Sequence, residues 1–153
     1  MIRYLLIISF MVCFIKADNY TYLLDKYQKE TELEAKIVVK IAKDILVNKP
    51  VILYIPGMKS LDYKVYSSFV KVTKLCSEAN FVFVKYSKSH KCQKKGKNSY
   101  ILTNNYKKLL SDKTFLGAFF WSKSRPNIVL VKSRLSQKNI YLPREYERYI
   151  EDL

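Results

Sequence analysis

The chain has 153 residues, 49% of them hydrophobic, with 13 tyrosines and 8 phenylalanines, a length and aromatic content that suit one packed domain and leave no room for two. Only 3 glycines and 4 prolines are present, which excludes collagen-like, linker-rich and low-complexity classes. The formal charge of +15 at pH 7 excludes an acidic surface and favours anionic partners through the long-range field, although lysine used simply as a solubilising residue accounts for the same excess.

In chain order, Arg3, an apolar run from Tyr4 to Ile15 and the small Ala17 before Asp18 have the three-part form of a secretory signal. A run of that length reaches only about 18 Å as a helix, short of a bilayer core of about 30 Å. The expected organisation is therefore a signal peptide over residues 1–17, cleaved after Ala17, and a single domain over 18–153 in the periplasm or secreted. The alternative is an uncleaved N-terminal membrane anchor, because Lys16 sits close to the cut. Val12 before Cys13 argues against a lipidated cysteine. Asn19-Tyr20-Thr21 has the glycosylation form.

Residues 18–48 read as helix, with Leu33, Ile37, Ile41 and Ile45 forming a stripe beside Val38, Ala42 and Leu46. Thr31 to Glu34 has capping-box form and suggests a break there, and Asn48 with Pro50 ends the helix. Val51 to Ile55 reads as a buried strand ending at Pro56-Gly57. A second helix opens at Ser60 with Leu61, Val65, Phe69, Val72 and Cys76 on one face, followed by a strand at Phe81 to Val84. Lys85 to Ser99 has no apolar period and reads as a basic loop. Beyond it come a short helix (Thr103 to Leu110), strands at Thr114 to Trp121, Asn127 to Val131 and Asn139 to Leu142, a turn at Lys132 to Lys138, and a closing helix begun by Pro143.

This element order resembles the thioredoxin-like fold. Val51 to Ile55 is similar to its first core strand, Phe81 to Tyr86 to its second, Pro126 to Val131 to its proline-led strand, and Arg144 to Leu153 to its last helix. The resemblance implies an α/β three-layer sandwich, a small mixed sheet flanked by helices, with a cis bond before Pro126. It further implies that client peptides dock at the rim formed by Trp121, Lys123, Arg125 and Pro126. The turn after the first strand, Pro56 to Asp62, lacks Cys-x-x-Cys, so thioredoxin chemistry at that turn is excluded.

Between Ile45 and Arg144 the only acids are Asp62, Glu78 and Asp112, so the central body carries most of the excess charge. Lys85, Lys88, Lys91, Lys94, Lys95 and Lys97 concentrate it in one stretch flanked by Tyr86 and Tyr100, a candidate anion-binding loop. Export argues against nucleic acid and for an acidic protein or anionic envelope component, with peripheral membrane contact as one form of it. A solvated loop is the plainer alternative.

Cys76 and Cys92 remain after signal removal, in a compartment that oxidises thiols, and a disulfide between them would contribute about 3 kcal/mol. The alternatives are a buried Cys76 with a free Cys92, or a redox-active pair whose thiolate is stabilised by the lysines around Cys92. His90 is the single histidine, so no metal centre and no cofactor are expected. Two functions follow: a non-enzymatic exported binding or accessory module with a basic surface for an acidic or extended partner, or an atypical thiol–disulfide oxidoreductase using Cys76 and Cys92.

Overall fold

The computed structural model describes residues 27–86 and 100–153; the expected signal over 1–17 lies outside them. Helix α1 spans 27–45 without a break. Its buried face is Ala35, Val38, Val39, Ile41, Ala42, Ile45 and Leu46, while Leu33 is exposed, so the apolar stripe is rotated from the one expected. Thr31 caps nothing: its hydroxyl donates back to the Tyr27 carbonyl at 2.9 Å, a bond that the uninterrupted helix accommodates. Lys36 with Glu32 and Lys40 with Asp44 form ion pairs one turn apart on the outer face. Asn48 (φ 62°) ends the last turn in the left-handed region, and Pro50 follows.

The strands are β1 (Ile52–Tyr54), β2 (Lys71–Val72), β3 (Phe81–Val84), β4 (Tyr100–Thr103), β5 (Gly117–Ser122), β6 (Arg125–Val131) and β7 (Ile150–Glu151). They form one mixed sheet in the order β2-β1-β3-β4-β5-β6-β7. β2, β1, β3, β4 and β5 are mutually parallel, β6 is antiparallel to β5, and β7 is parallel to β6. The parallel part thus has the 2-1-3-4-5 order of doubly wound α/β sheets, in which ligands sit outside the carboxyl ends of the strands.

Alternation along β3 divides the core into two layers: Phe81 and Phe83 face α1, and Val82 and Val84 face the opposite side. The larger layer also takes Val65 and Tyr66 from α2 (Ser60–Tyr66), Leu135 from α4 (Lys132–Gln137) and Tyr146. The smaller is closed by Leu109 of α3 (Tyr106–Ser111) and by Phe115. Burying each phenylalanine of β3 is worth roughly 1.5–3 kcal/mol. Asn80 aligns the sheet start, accepting from the Ile52 amide at 2.8 Å and donating to the Pro50 carbonyl at 2.7 Å.

An α/β sheet with helices on both faces agrees with the expected class, and several local expectations are corrected. Phe69, Val72 and Cys76 are not on α2: the helix stops at Tyr66, β-branched Val70, Val72 and Thr73 favour extended backbone, and Cys76 opens a short 3-10 helix (Cys76–Glu78). Residues 132–137 are helix rather than turn, and 139–142 form no strand. The antiparallel partner of the proline-bearing strand is β5, which precedes it. The Arg125-Pro126 bond is trans. The closing helix is a 3-10 segment (Arg144–Tyr149) with Pro143 in the flanking position, followed by β7.

Buried Arg134 of α4 satisfies three backbone carbonyls with one guanidinium nitrogen, those of Leu109 (3.0 Å), Asp112 (3.2 Å) and Phe115 (2.7 Å). A cation at the end of α3 also complements the partial negative charge there.

Candidate functional site

The carboxyl ends of β1 and β3 meet a buried ionic cluster built from three distant segments. Glu34 enters from the buried face of α1, Asp62 from the first turn of α2, and Lys85 from the residue after β3. Their side chains are 4%, 1% and 10% exposed. Lys85 Nζ donates to Glu34 Oε1 at 2.7 Å and to Asp62 Oδ1 at 2.9 Å. The Tyr66 hydroxyl donates to Glu34 at 3.0 Å, and the Tyr86 hydroxyl donates to Asp62 Oδ2 at 2.7 Å.

Burial pushes the Glu34 carboxyl above the usual carboxylate range, against the pull of Lys85. For Lys85, burial acts downward, but the Glu34 charge and the hydrogen bonds to both carboxylates outweigh it and hold the ammonium above its ordinary value. Burial, followed by the Glu34 charge, raises the Tyr66 hydroxyl; burial and the bonds to Tyr27 and Asp62 raise that of Tyr86. Two carboxylates, one ammonium and two phenols form a closed set, and no buried side-chain N or O among the described residues lacks a partner. Such a set positions backbone rather than offering a base to solvent.

What it positions is the loop from Pro56 to Lys59. Asp62 Oδ2 accepts the Lys59 amide at 3.3 Å, and the Lys59 ammonium lies 4.9 Å from the Tyr86 ring centroid. Gly57 holds φ 67°, where a side chain would be strained. On the other side of this loop, over the ends of β1 and β2, opens a cleft of about 520 Å³. Tyr54, Met58, Lys59, Ser60, Tyr63, Thr73 and Lys74 are among its lining, which contains no acid. Thr73 is fixed from behind, donating to Glu78 at 2.6 Å and accepting the Leu75 amide at 3.1 Å.

The residues expected at a partner site do come together. Lys123 and Ser124, with φ 49° and 59°, form a two-residue turn of the I′ kind between the paired Ser122 and Arg125. Trp121 lies directly opposite Pro126 and is half-buried, its ring edge-on to Phe119 at 5.9 Å. Lys123, Arg125 and Pro126 are exposed, and Ser122, Lys123, Arg125 and Asn127 line a hollow of about 390 Å³ at the tip. Because Trp121–Pro126 is the second pair from the turn, the missing proline N–H falls on the side away from β5, where β7 has not yet begun.

The six expected anion-binding lysines fare differently. Lys85 is corrected: it points inward to Glu34 and Asp62 and is spent on the core. Lys88, Lys91, Lys94, Lys95 and Lys97 lie outside the described residues, as do His90 and Cys92. Cys76 is half-buried and disulfide-bonded. The three cysteines of the chain are Cys13, Cys76 and Cys92; if residues 1–17 are removed, Cys92 is the sole possible intrachain partner. A non-reducing peptide map of the exported protein is then expected to give a Cys76–Cys92 linked peptide that dithiothreitol splits, and two separately alkylated peptides would refute the pairing. Among the described residues no three His, Cys, Asp or Glu side chains gather as a metal set, and no helix is long and apolar enough to cross a membrane.

The sequence assigns Glu34 to a capping box and Tyr86 to the edge of the basic loop and gives Asp62 no role, so their meeting is not anticipated, and Tyr66, Lys59 and Lys74 go unmarked. One signal was available: Glu34 falls between Thr31 and Val38 on the buried spacing of α1, an acid where the pattern asks for an apolar residue.

No family model matches the chain, and no curated protein matches it at a significant level. Among solved structures it is similar to a conserved domain protein from Vibrio cholerae O1 biovar El Tor strain N16961, at 9% identity and a TM-score of 0.50. The match covers 78% of this chain and 58% of that one, so the chain spans less than two thirds of its neighbour's length. At that identity the likeness is one of fold alone, an α/β sheet flanked by helices.

Proposed function

We propose that the chain is a non-enzymatic, exported binding or accessory module that holds an acidic or extended partner against its basic surface, with the β5–β6 hairpin as the principal contact. The carrying observation is the hairpin tip, where Lys123 and Arg125 stand exposed beside the anchored Trp121 ring and neither is ion-paired among the described residues. The left-handed backbone of two non-glycine turn residues is a local cost of the kind that functional surfaces carry. The closed state of the Glu34–Asp62–Lys85 cluster supports binding over catalysis.

The thioredoxin-like frame is the fold-level part of this reading. The mixed sheet supports it, while the trans bond before Pro126, the pairing of its strand with the preceding β5, the parallel pairing of β4 with β5 and the 2-1-3-4-5 order weigh on the side of a doubly wound sheet. In either frame the hairpin tip is solvent-facing.

A fluorescent oligoglutamate peptide serves as a defined acidic probe. Its affinity, read by anisotropy, is expected to fall about tenfold or more in a Lys123→Glu, Arg125→Glu double variant, with a smaller salt dependence than the native chain. Equal affinity and equal salt slope would remove the hairpin from the reading. The oxidoreductase alternative, with Cys76 and Cys92 as its reactive pair, requires rapid alkylation of both thiols after mild reduction and turnover with a disulfide substrate.

A further inference from the structure

We propose that the cleft over the carboxyl ends of β1 and β2 binds a phosphomonoester carried on a flat ring. Lys59 and Lys74 both line it, and neither is ion-paired among the described residues. Two ammonium groups without an anionic partner among the described residues, that of Lys59 resting 4.9 Å from the Tyr86 ring centroid, match a monoester, whose charge at pH 7 is between about −1.5 and −2. No acid is part of the lining, the nearby Glu78 carboxylate being engaged by the Thr73 hydroxyl at 2.6 Å, and the hydroxyls of Ser60 and Tyr63 add donors. The rings of Tyr54 and Tyr63 supply the flat apolar contact; Tyr63 is 47% exposed and so is open to stacking.

Position and rigidity point the same way. The cleft lies outside the carboxyl ends of the parallel strands β1 and β2, beside the β1–β3 switch point where such sheets place their ligands, and its volume of about 520 Å³ is that of a small-molecule site. Its floor is the Pro56–Lys59 loop that the Asp62–Lys85 pair fixes from below, so little ordering is left to be done on binding. The site stands apart from the hairpin and does not depend on it.

Phenyl phosphate is the probe, with inorganic phosphate and phenol as its two halves, titrated into the full chain by calorimetry. Phenyl phosphate is expected to bind with a Kd below about 1 mM and at least tenfold (about 1.4 kcal/mol) more tightly than either half. Lys74→Gln and Lys59→Gln are each expected to weaken it about tenfold, with circular dichroism unchanged because both side chains are at the surface. Lys123→Gln, Arg125→Gln is expected to leave it unaltered, which separates this site from the hairpin. The proposal is overturned if phenyl phosphate binds no better than inorganic phosphate, or if both lysine variants bind it like the native chain.

Discussion

Replacing Lys85 by methionine is expected to destabilise the protein by about 3–5 kcal/mol, because it leaves two buried carboxylates facing each other without a cation. Urea unfolding measures it. Part of the loss is expected to return on acidification, since Glu34 then takes up a proton more readily. A Glu34→Gln, Asp62→Asn, Lys85→Met triple variant is expected to recover most of the stability, because the desolvation cost disappears together with the charges. A single variant as stable as the native chain, or a triple variant no better than the single one, would contradict the account.

The native pH profile follows from the same cluster. Lys85 is held above its ordinary value of about 10.5 when folded, so the folded chain keeps a proton that the unfolded chain releases. Its contribution is complete below about pH 10.5 and is lost as pH rises through the higher folded value. Glu34, raised by burial, works in the same direction at the acid end: deprotonation there costs stability as pH rises past the usual carboxylate range. Lys85→Met is expected to reduce the alkaline limb and to leave the part set by the buried Tyr66 and Tyr86 hydroxyls, which also keep protons that the unfolded chain releases.

Gly117→Ala is the second large effect. A Cβ at that position would stand 2.4 Å from the Val129 carbonyl oxygen and 2.6 Å from Leu130 Cδ2, both on β6. Gly117 pairs with Leu130 on one side and with Leu102 on the other, so neither neighbour can retreat without parting the centre of the sheet. Overpacking against backbone is expected to cost about 3 kcal/mol or more, lowering Tm by on the order of 10 °C. Gly57→Ala, where the nearest atom is Tyr86 Cβ at 3.7 Å, is expected to cost only the backbone strain of φ 67°. Thermal melts of the two variants side by side check the ordering.

What the sequence discloses depends on how local the cause is. Val51 to Ile55, Phe81 to Val84 and Asn127 to Val131 are legible as strands because each is a short apolar run between turn residues. β2 is hidden because Leu61, Val65, Phe69 and Val72 fall at helical spacing, which masks the extended preference of β-branched Val70, Val72 and Thr73. β4 is hidden by the lysine-rich stretch before it, and Lys132 to Gln137 has too little apolar periodicity to announce a helix. At the site, Trp121, Lys123, Arg125 and Pro126 are legible because they are neighbours in sequence. The cluster is not, since 51 residues separate Glu34 from Lys85 and only the folded sheet brings them within 2.7 Å.

The outermost strands, β2 and β7, have two residues each, and each carries an exposed charged residue, Lys71 on one side and Glu151 on the other. An unpaired strand edge is a template on which another chain can crystallise its own backbone, and its reach grows with every free N–H and C=O in the row. Here the row is too short to seed such growth and a charge interrupts it. The short, fully apolar and fully buried strand β3 is kept two strands or more from either border. Fraying at either margin of the described sheet therefore uncovers a two-residue strand bearing a charge before it uncovers β3.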